Sequence, residues 1–108
     1  MKRLFLLSLL LPVAVLAAES ADNGYLLIIQ DHRFLPAELV VPAGKKIKLT
    51  VENRDATPEE FESHALNREK VIPAKSATTI YVGPLSPGRY PYFGEFNEKT
   101  AQGVVIAQ

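Results

Sequence analysis

The segment Lys46-Ile47-Lys48-Leu49-Thr50-Val51-Glu52 alternates strictly between polar and apolar side chains. Only an extended chain puts every second residue on one face. The segment is therefore a strand, with Ile47, Leu49 and Val51 towards a core and the lysines and the threonine towards water. Pro42-Ala43-Gly44 before it and Asn53-Arg54-Asp55 after it are turn formers. The same pattern of short apolar run and turn recurs along the chain. Residues 25–30 are apolar and β-branched, and Asp31-His32-Arg33 breaks the run. Phe34-Leu35-Pro36 and Leu39-Val40-Val41 read as a second extended stretch, and residues 61–66, 77–82, 89–93 and 103–107 as further strands. Gly83-Pro84-Leu85-Ser86-Pro87-Gly88 is a rigid loop. Pro91 cannot donate to a ladder, so its strand has one unpaired side there. Seven to eight short strands without an amphipathic helix predict an all-β sandwich. Residues 59–70 are rich in helix formers, and a short helix is the alternative there.

The start of the chain reads as an address. Met1-Lys2-Arg3 precedes an apolar run over residues 4–16 that ends in small residues. Such a run is short of the roughly 20 residues that cross a bilayer. It is expected to be a signal peptide over residues 1–17, leaving a domain over 18–108. The expected location is a bacterial periplasm, with no membrane span after signal removal.

Composition narrows the chemistry. Twelve basic residues balance twelve acidic ones, so there is no general electrostatic reason to bind nucleic acid. The chain has no cysteine, which excludes disulfides, thiolate zinc, iron–sulfur clusters and a cysteine nucleophile. Gly-x-Ser-x-Gly, His-Glu-x-x-His and a glycine-rich phosphate loop are all missing from the sequence. A binding protein is expected rather than an enzyme.

Acidic residues crowd one stretch: Glu59, Glu60, Glu62 and Glu69. If residues 60–62 are extended, Glu60 and Glu62 share one side and Phe61 takes the other. Carboxylates on one face repel unless a cation sits among them. Arg68, Lys70 or a hard metal ion would serve, and oxygen donors suit ions such as Ca²⁺, Mn²⁺ or Fe³⁺. Donors to one ion at 2.0–2.6 Å must lie within roughly 5 Å of each other. His64 is a further candidate ligand, whereas His32 reads as an exposed turn residue. Tyr90, Tyr92, Phe93 and Phe96 read as inner-face packing with a loop anchor.

Phe34-x-Pro36, Val41-Pro42-Ala43-Gly44-Lys45, Val51-x-Asn53-x-Asp55, Pro87-Gly88-x-Tyr90 and Gly103 occur in that order. Together they resemble the cupredoxin family, which implies an eight-stranded Greek-key β-sandwich. A blue-copper member carries a histidine close to a proline after the Asn turn. Here Pro58 is followed by Glu59. The family's later cysteine, histidine and methionine places fall on Gly94, Asn97 and Gln102. No type-1 copper is expected, since its thiolate is missing.

Glu60-Phe61-Glu62, Arg68-Glu69-Lys70 with Pro73, Gly83-Pro84-Leu85-x-Pro87-Gly88 and Phe93-Gly94-Glu95 are similar to the cupredoxin-like domain of EfeO-type periplasmic iron-uptake proteins. Some members have cysteine where this chain has Phe93. The resemblance implies a ferric (Fe³⁺) or cupric (Cu²⁺) ion held by Glu60 or Glu62 and by Glu69. It also brings Glu95 and Glu98 into the loop at the family's metal-binding end. The candidate metal set is Glu60, Glu62, Glu69, Glu95 and His64, with iron handling as the role. An inner-membrane iron permease or periplasmic iron-uptake components would be the partners. The alternative is a metal-free module that docks a membrane permease or oxidase through residues 92–96.

Overall fold

Alternation is the rule that builds this structure. The computed structural model describes residues 24–108. The expected leader, residues 1–17, and the domain boundary at residue 18 lie outside the described residues. Strand β4 (Ile47–Asn53) buries Ile47, Leu49, Val51 and Asn53 and leaves the residues between them half-buried. It runs parallel to β1 (Gly24–Gln30) on one side and antiparallel to β7 (Ser76–Val82) on the other. With β2 (Arg33–Leu35) folded back on β1, the first sheet has the order β2-β1-β4-β7.

The second sheet is built from β3 (Glu38–Val41), β5 (Glu59–Ser63), β6 (Arg68–Ile72), β8 (Gly88–Gly94) and β9 (Gln102–Ala107), in the order β3-β9-β8-β5-β6. One turn of 3-10 helix, Glu95–Asn97, follows β8. The inner faces meet over Leu27, Ile29, Leu49, Val51, Phe61 and Ile72, none of which is measurably exposed. Each such side chain contributes on the order of 1.5–3 kcal/mol through burial. Tyr92 stacks on Phe61 at 4.9 Å, and Phe34 meets it edge-on at 5.0 Å. Gly103 faces Tyr92 across the β8–β9 ladder, and a Cβ there would lie 2.4 Å from the ring.

The sandwich is all-β as expected, with nine strands instead of seven to eight and no α-helix among the described residues. Two local expectations are corrected. Residues 33–41 are not one stretch. They divide at Pro36 into β2 and β3, which belong to different sheets, and β3 buries Leu39 and Val41 while pairing in parallel with β9. Residues 59–70 hold no helix and form instead the β5–β6 hairpin. Helix propensity there gives way because Phe61 can enter the core only at period two, against a neighbouring β8.

One exposed turn is held from outside itself. Asp31 and His32 between β1 and β2 both have positive φ, 52° and 58°. Neither is glycine, so the conformation needs support. Asp55 supplies it: its carboxylate accepts the Asp31 N–H at 2.8 Å and the His32 N–H at 3.0 Å. His32 lies in this turn, exposed, with Nδ1 3.6 Å from the same carboxylate.

Candidate metal centre

The β5–β6 register decides which acids meet. Glu62 stands directly opposite Glu69, and Glu60 opposite Val71, so Glu60 and Glu69 are diagonal neighbours on one face. Glu59, Phe61 and Ser63 take the inner face. One carboxylate oxygen each of Glu60, Glu62 and Glu69 lies within 4.8 Å of the others. Glu95 enters from the 3-10 turn and lies outside the three-acid group, near enough to Glu62 for the two carboxyls to influence each other's protonation. His64 stands apart from the three-acid group. It is exposed beyond the end of β5, with its ring 5.8 Å from that of Phe93. Its charge still reaches Glu95. A cleft of about 230 Å³ lies between Glu62, His64, Asn67, Arg68 and Glu69.

The two cations named as neutralising partners do not join the cluster. Alternation along β6 starts Arg68 and Lys70 on the face opposite Glu69, and Arg68, at the strand's end, edges the cleft without pairing with the acids. The Arg68 guanidinium donates to the carbonyls of Tyr81 at 2.9 Å and Asn67 at 2.8 Å, closing the gap between β6 and β7. Among the described residues no ion pair reaches the cluster. Crowding instead favours the protonated form of two of the acids. The hydrogen bond with Glu69 pushes Glu60 up to about 7, aided by partial desolvation and by the charges of Glu69, Glu62 and Glu95. Glu95 is also raised, first by its hydrogen bond with Glu62, then by desolvation and the charges of Glu62 and Glu69. The arrangement is a set of hard oxygen donors, short of positive charge, on an accessible face.

A fifth acid lies beneath. Glu59 is 1% exposed. Its Oε1 accepts the N–H of Glu60 at 3.0 Å and of Phe96 at 2.9 Å. Its Oε2 accepts Asn97 Nδ2 at 2.7 Å. Glu59, Gly94 and Asn97 thus share one pocket, and a Cβ on Gly94 would lie 2.6 Å from the Glu59 Cδ. These are three of the positions at which the resemblance puts copper ligands. Gln102 is at the start of β9, with its side-chain amide on the Glu98 carbonyl at 3.0 Å. Glu59 was absent from the candidate set. The signal for it was the same alternation that placed Glu60 and Glu62 outside, since Glu59 must then share the inner side with Phe61.

The aromatic run divides in the same way. Tyr92 is buried, Tyr90 and Phe93 are half-buried, and Phe96 is 51% exposed.

The family model for the cupredoxin-like domain matches residues 3–107. The chain belongs to the cupredoxin-like domain family. This cupredoxin-like domain is 47% identical over 78 residues to an uncharacterized protein of Rickettsia prowazekii (strain Madrid E). That match takes in 72% of this chain and 62% of the relative, so the chain spans less than two thirds of the relative's length. Among solved structures it is similar to the metal-binding domain of the Streptococcus pneumoniae D39 Cu(I)-exporting P-type ATPase with Cu(I), with a TM-score of 0.71 and 14% identity over 84% of this chain and 92% of that one. Auracyanin A, a blue copper protein of Chloroflexus aurantiacus, gives a TM-score of 0.68 and 12% identity over 79% and 98%. Amicyanin of Paracoccus versutus gives 0.63 and 18% over 85% and 88%. These likenesses carry the fold. Lacking any cysteine, the cupredoxin-like domain has no thiolate for a type-1 copper centre.

Proposed function

We propose that this cupredoxin-like protein is exported to the periplasm and binds a hard metal ion, ferric iron foremost, in support of iron uptake. The donors are Glu60, Glu62 and Glu69, with Glu95 at the rim and His64 as a flanking nitrogen. The observation that carries this reading is the convergence of three carboxylates within 4.8 Å, with neither Arg68 nor Lys70 ion-paired to them. A cation of high charge relieves the repulsion among these carboxylates. Oxygen donors favour Fe³⁺ or Mn²⁺, accept Cu²⁺, and disfavour the soft Cu(I) ion. The EfeO-type resemblance of the Glu60-Phe61-Glu62 and Arg68-Glu69-Lys70 stretches supports the iron assignment. Binding and hand-over to a permease or another iron-uptake component, not catalysis, is the role.

Calorimetric titration of the metal-free protein with chelated Fe³⁺, Cu²⁺ and Mn²⁺ tests the reading, with Glu62→Gln and Glu69→Gln in parallel. Saturable binding is expected in the parent, weakened about 10-fold or more in each variant. No binding by the parent, or equal binding by all three proteins, rejects it.

The exposed Phe96 favours one second reading, a metal-free module that docks a permease or oxidase. Of the aromatic loop, Tyr92 is buried, which leaves Phe96 as the anchor. Co-purification with the partner then survives chelator and is lost in Phe96→Ala.

A further inference from the structure

We infer that Glu59 is a positioning residue whose buried carboxylate clamps the 95–97 turn onto β5 and thereby sets Glu95 beside Glu62. The inference rests on the proposed metal reading only for its metal-dependent readout. Two of the three donors to Glu59 belong to the turn, the Phe96 N–H at 2.9 Å and Asn97 Nδ2 at 2.7 Å. The third, the Glu60 N–H at 3.0 Å, belongs to the strand that carries Glu60 and Glu62. One carboxylate therefore joins the two backbone segments from which the upper cluster acids project.

A buried carboxylate is tolerated only when its oxygens are occupied by donors, and bonds to a charged acceptor are the strong ones. Gly94 makes the close approach feasible, because any side chain there would strike Glu59 and Ala101 at 2.6 Å. On its far side the turn closes on itself, with Ala101 N–H to Asn97 O and Gly94 N–H to Ala101 O, each at 2.8 Å. Without the clamp, Phe96 loses its amide acceptor, and Glu95, the adjoining residue, loses its fixed approach to Glu62. Glu59 itself points inward, away from the cluster face, so it supports the donors without being one.

The test uses Glu59→Ala, Glu59→Gln and the double variant Glu59→Gln with Asn97→Asp. Glutamine can still accept the two backbone N–H groups, but as a neutral acceptor, and it keeps Asn97 only if one of the two amides turns over. Aspartate at position 97 restores a donor–acceptor pair of reversed polarity. Amide hydrogen exchange at Phe96 should quicken about 10- to 100-fold in Glu59→Ala, the loss of one bond to a charged acceptor, while Leu49 and Val51 keep their protection. Mn²⁺ should broaden the NMR signals of Glu60, Glu62, Glu69 and Glu95 in the parent. Mn²⁺ affinity should be about 10-fold weaker in Glu59→Ala, and weakened less in Glu59→Gln. The double variant should recover the parent's affinity.

Unchanged Phe96 exchange in Glu59→Ala overturns the inference, as does Mn²⁺ affinity there equal to the parent's. If Glu59→Ala does not fold, Glu59→Gln and its rescue decide. Absence of Mn²⁺ broadening in the parent overturns the metal reading alone, and Phe96 exchange then decides the positioning role by itself.

Discussion

Replacing Gly94 by alanine adds one methyl group to a pocket that is already full. Its backbone, at φ −93° and ψ 112°, suits any residue, so the cost is purely steric. The new Cβ would stand 2.6 Å from the Ala101 Cβ and 2.6 Å from the Glu59 Cδ, where carbon atoms settle at about 3.5–4.0 Å. Ala101 cannot retreat, since its Cβ is rigid and its carbonyl accepts the Gly94 N–H at 2.8 Å. Glu59 can move only by abandoning donors. Overpacking of this kind costs about 1–3 kcal/mol, and loss of one bond to a charged acceptor about 1.5–3 kcal/mol. Relief of the first comes partly through the second, so the expected loss is about 3 kcal/mol rather than the full sum. At about 4–8 °C per kcal/mol for a domain of this size, the midpoint of thermal unfolding should fall by about 12–24 °C. Circular dichroism melts of parent and Gly94→Ala measure it. Gly88→Ala is the control: its Cβ would meet nothing nearer than 3.7 Å, and the change should stay within about 0.5 kcal/mol. A Gly94→Ala midpoint within about 4 °C of the parent would show that the pocket is not closed and refute the packing argument.

Metal affinity should depend on pH because an ion must displace the cluster proton. With Glu60 pushed up to about 7, Mn²⁺ affinity should climb about 10-fold per pH unit below that value and level off above it, and a flat calorimetric profile there contradicts the cluster's protonation. The same shift has a sign for stability. A carboxyl whose folded pKa exceeds its ordinary 4.5 keeps a proton that the unfolded chain has released. Metal-free stability should therefore decline as pH rises from about 4.5 to 7; urea melts should show this slope flattened in Glu60→Gln. Asp55→Ala removes the acceptor for two N–H groups of the positive-φ turn and should cost about 1–2 kcal/mol. Burial alone would raise Asp55, but bonds from the His32 and Asp31 amides and the charges of His32 and Lys75 hold it below the usual range. Its contribution is thus present above about pH 4 and lost as pH falls through the depressed value. Acid titration of the unfolding midpoint, compared between parent and variant, reads that loss directly.

Sandwich class, core strand β4 and the outward placement of Glu60 and Glu62 were legible from alternation alone, because period-two burial is a local property of an extended chain. Pairings and partners were not. The splitting of residues 33–41 between sheets and the hairpin at 59–72 depend on β9 and β8, which lie far along the sequence. The union of Glu62 with Glu69 likewise depends on a register that no spacing prescribes. Glu59 shows the boundary most clearly: parity along the strand turned it inward, but only the folded turn, bringing Phe96 and Asn97 across from 37 and 38 residues away, made a buried carboxylate tolerable. A chain dictates by itself which side of a strand each side chain takes, since that follows from backbone geometry. Which distant groups satisfy a buried charge, or crowd an exposed one, is decided by tertiary closure, where desolvation and Coulomb energy depend on through-space distances of a few ångström.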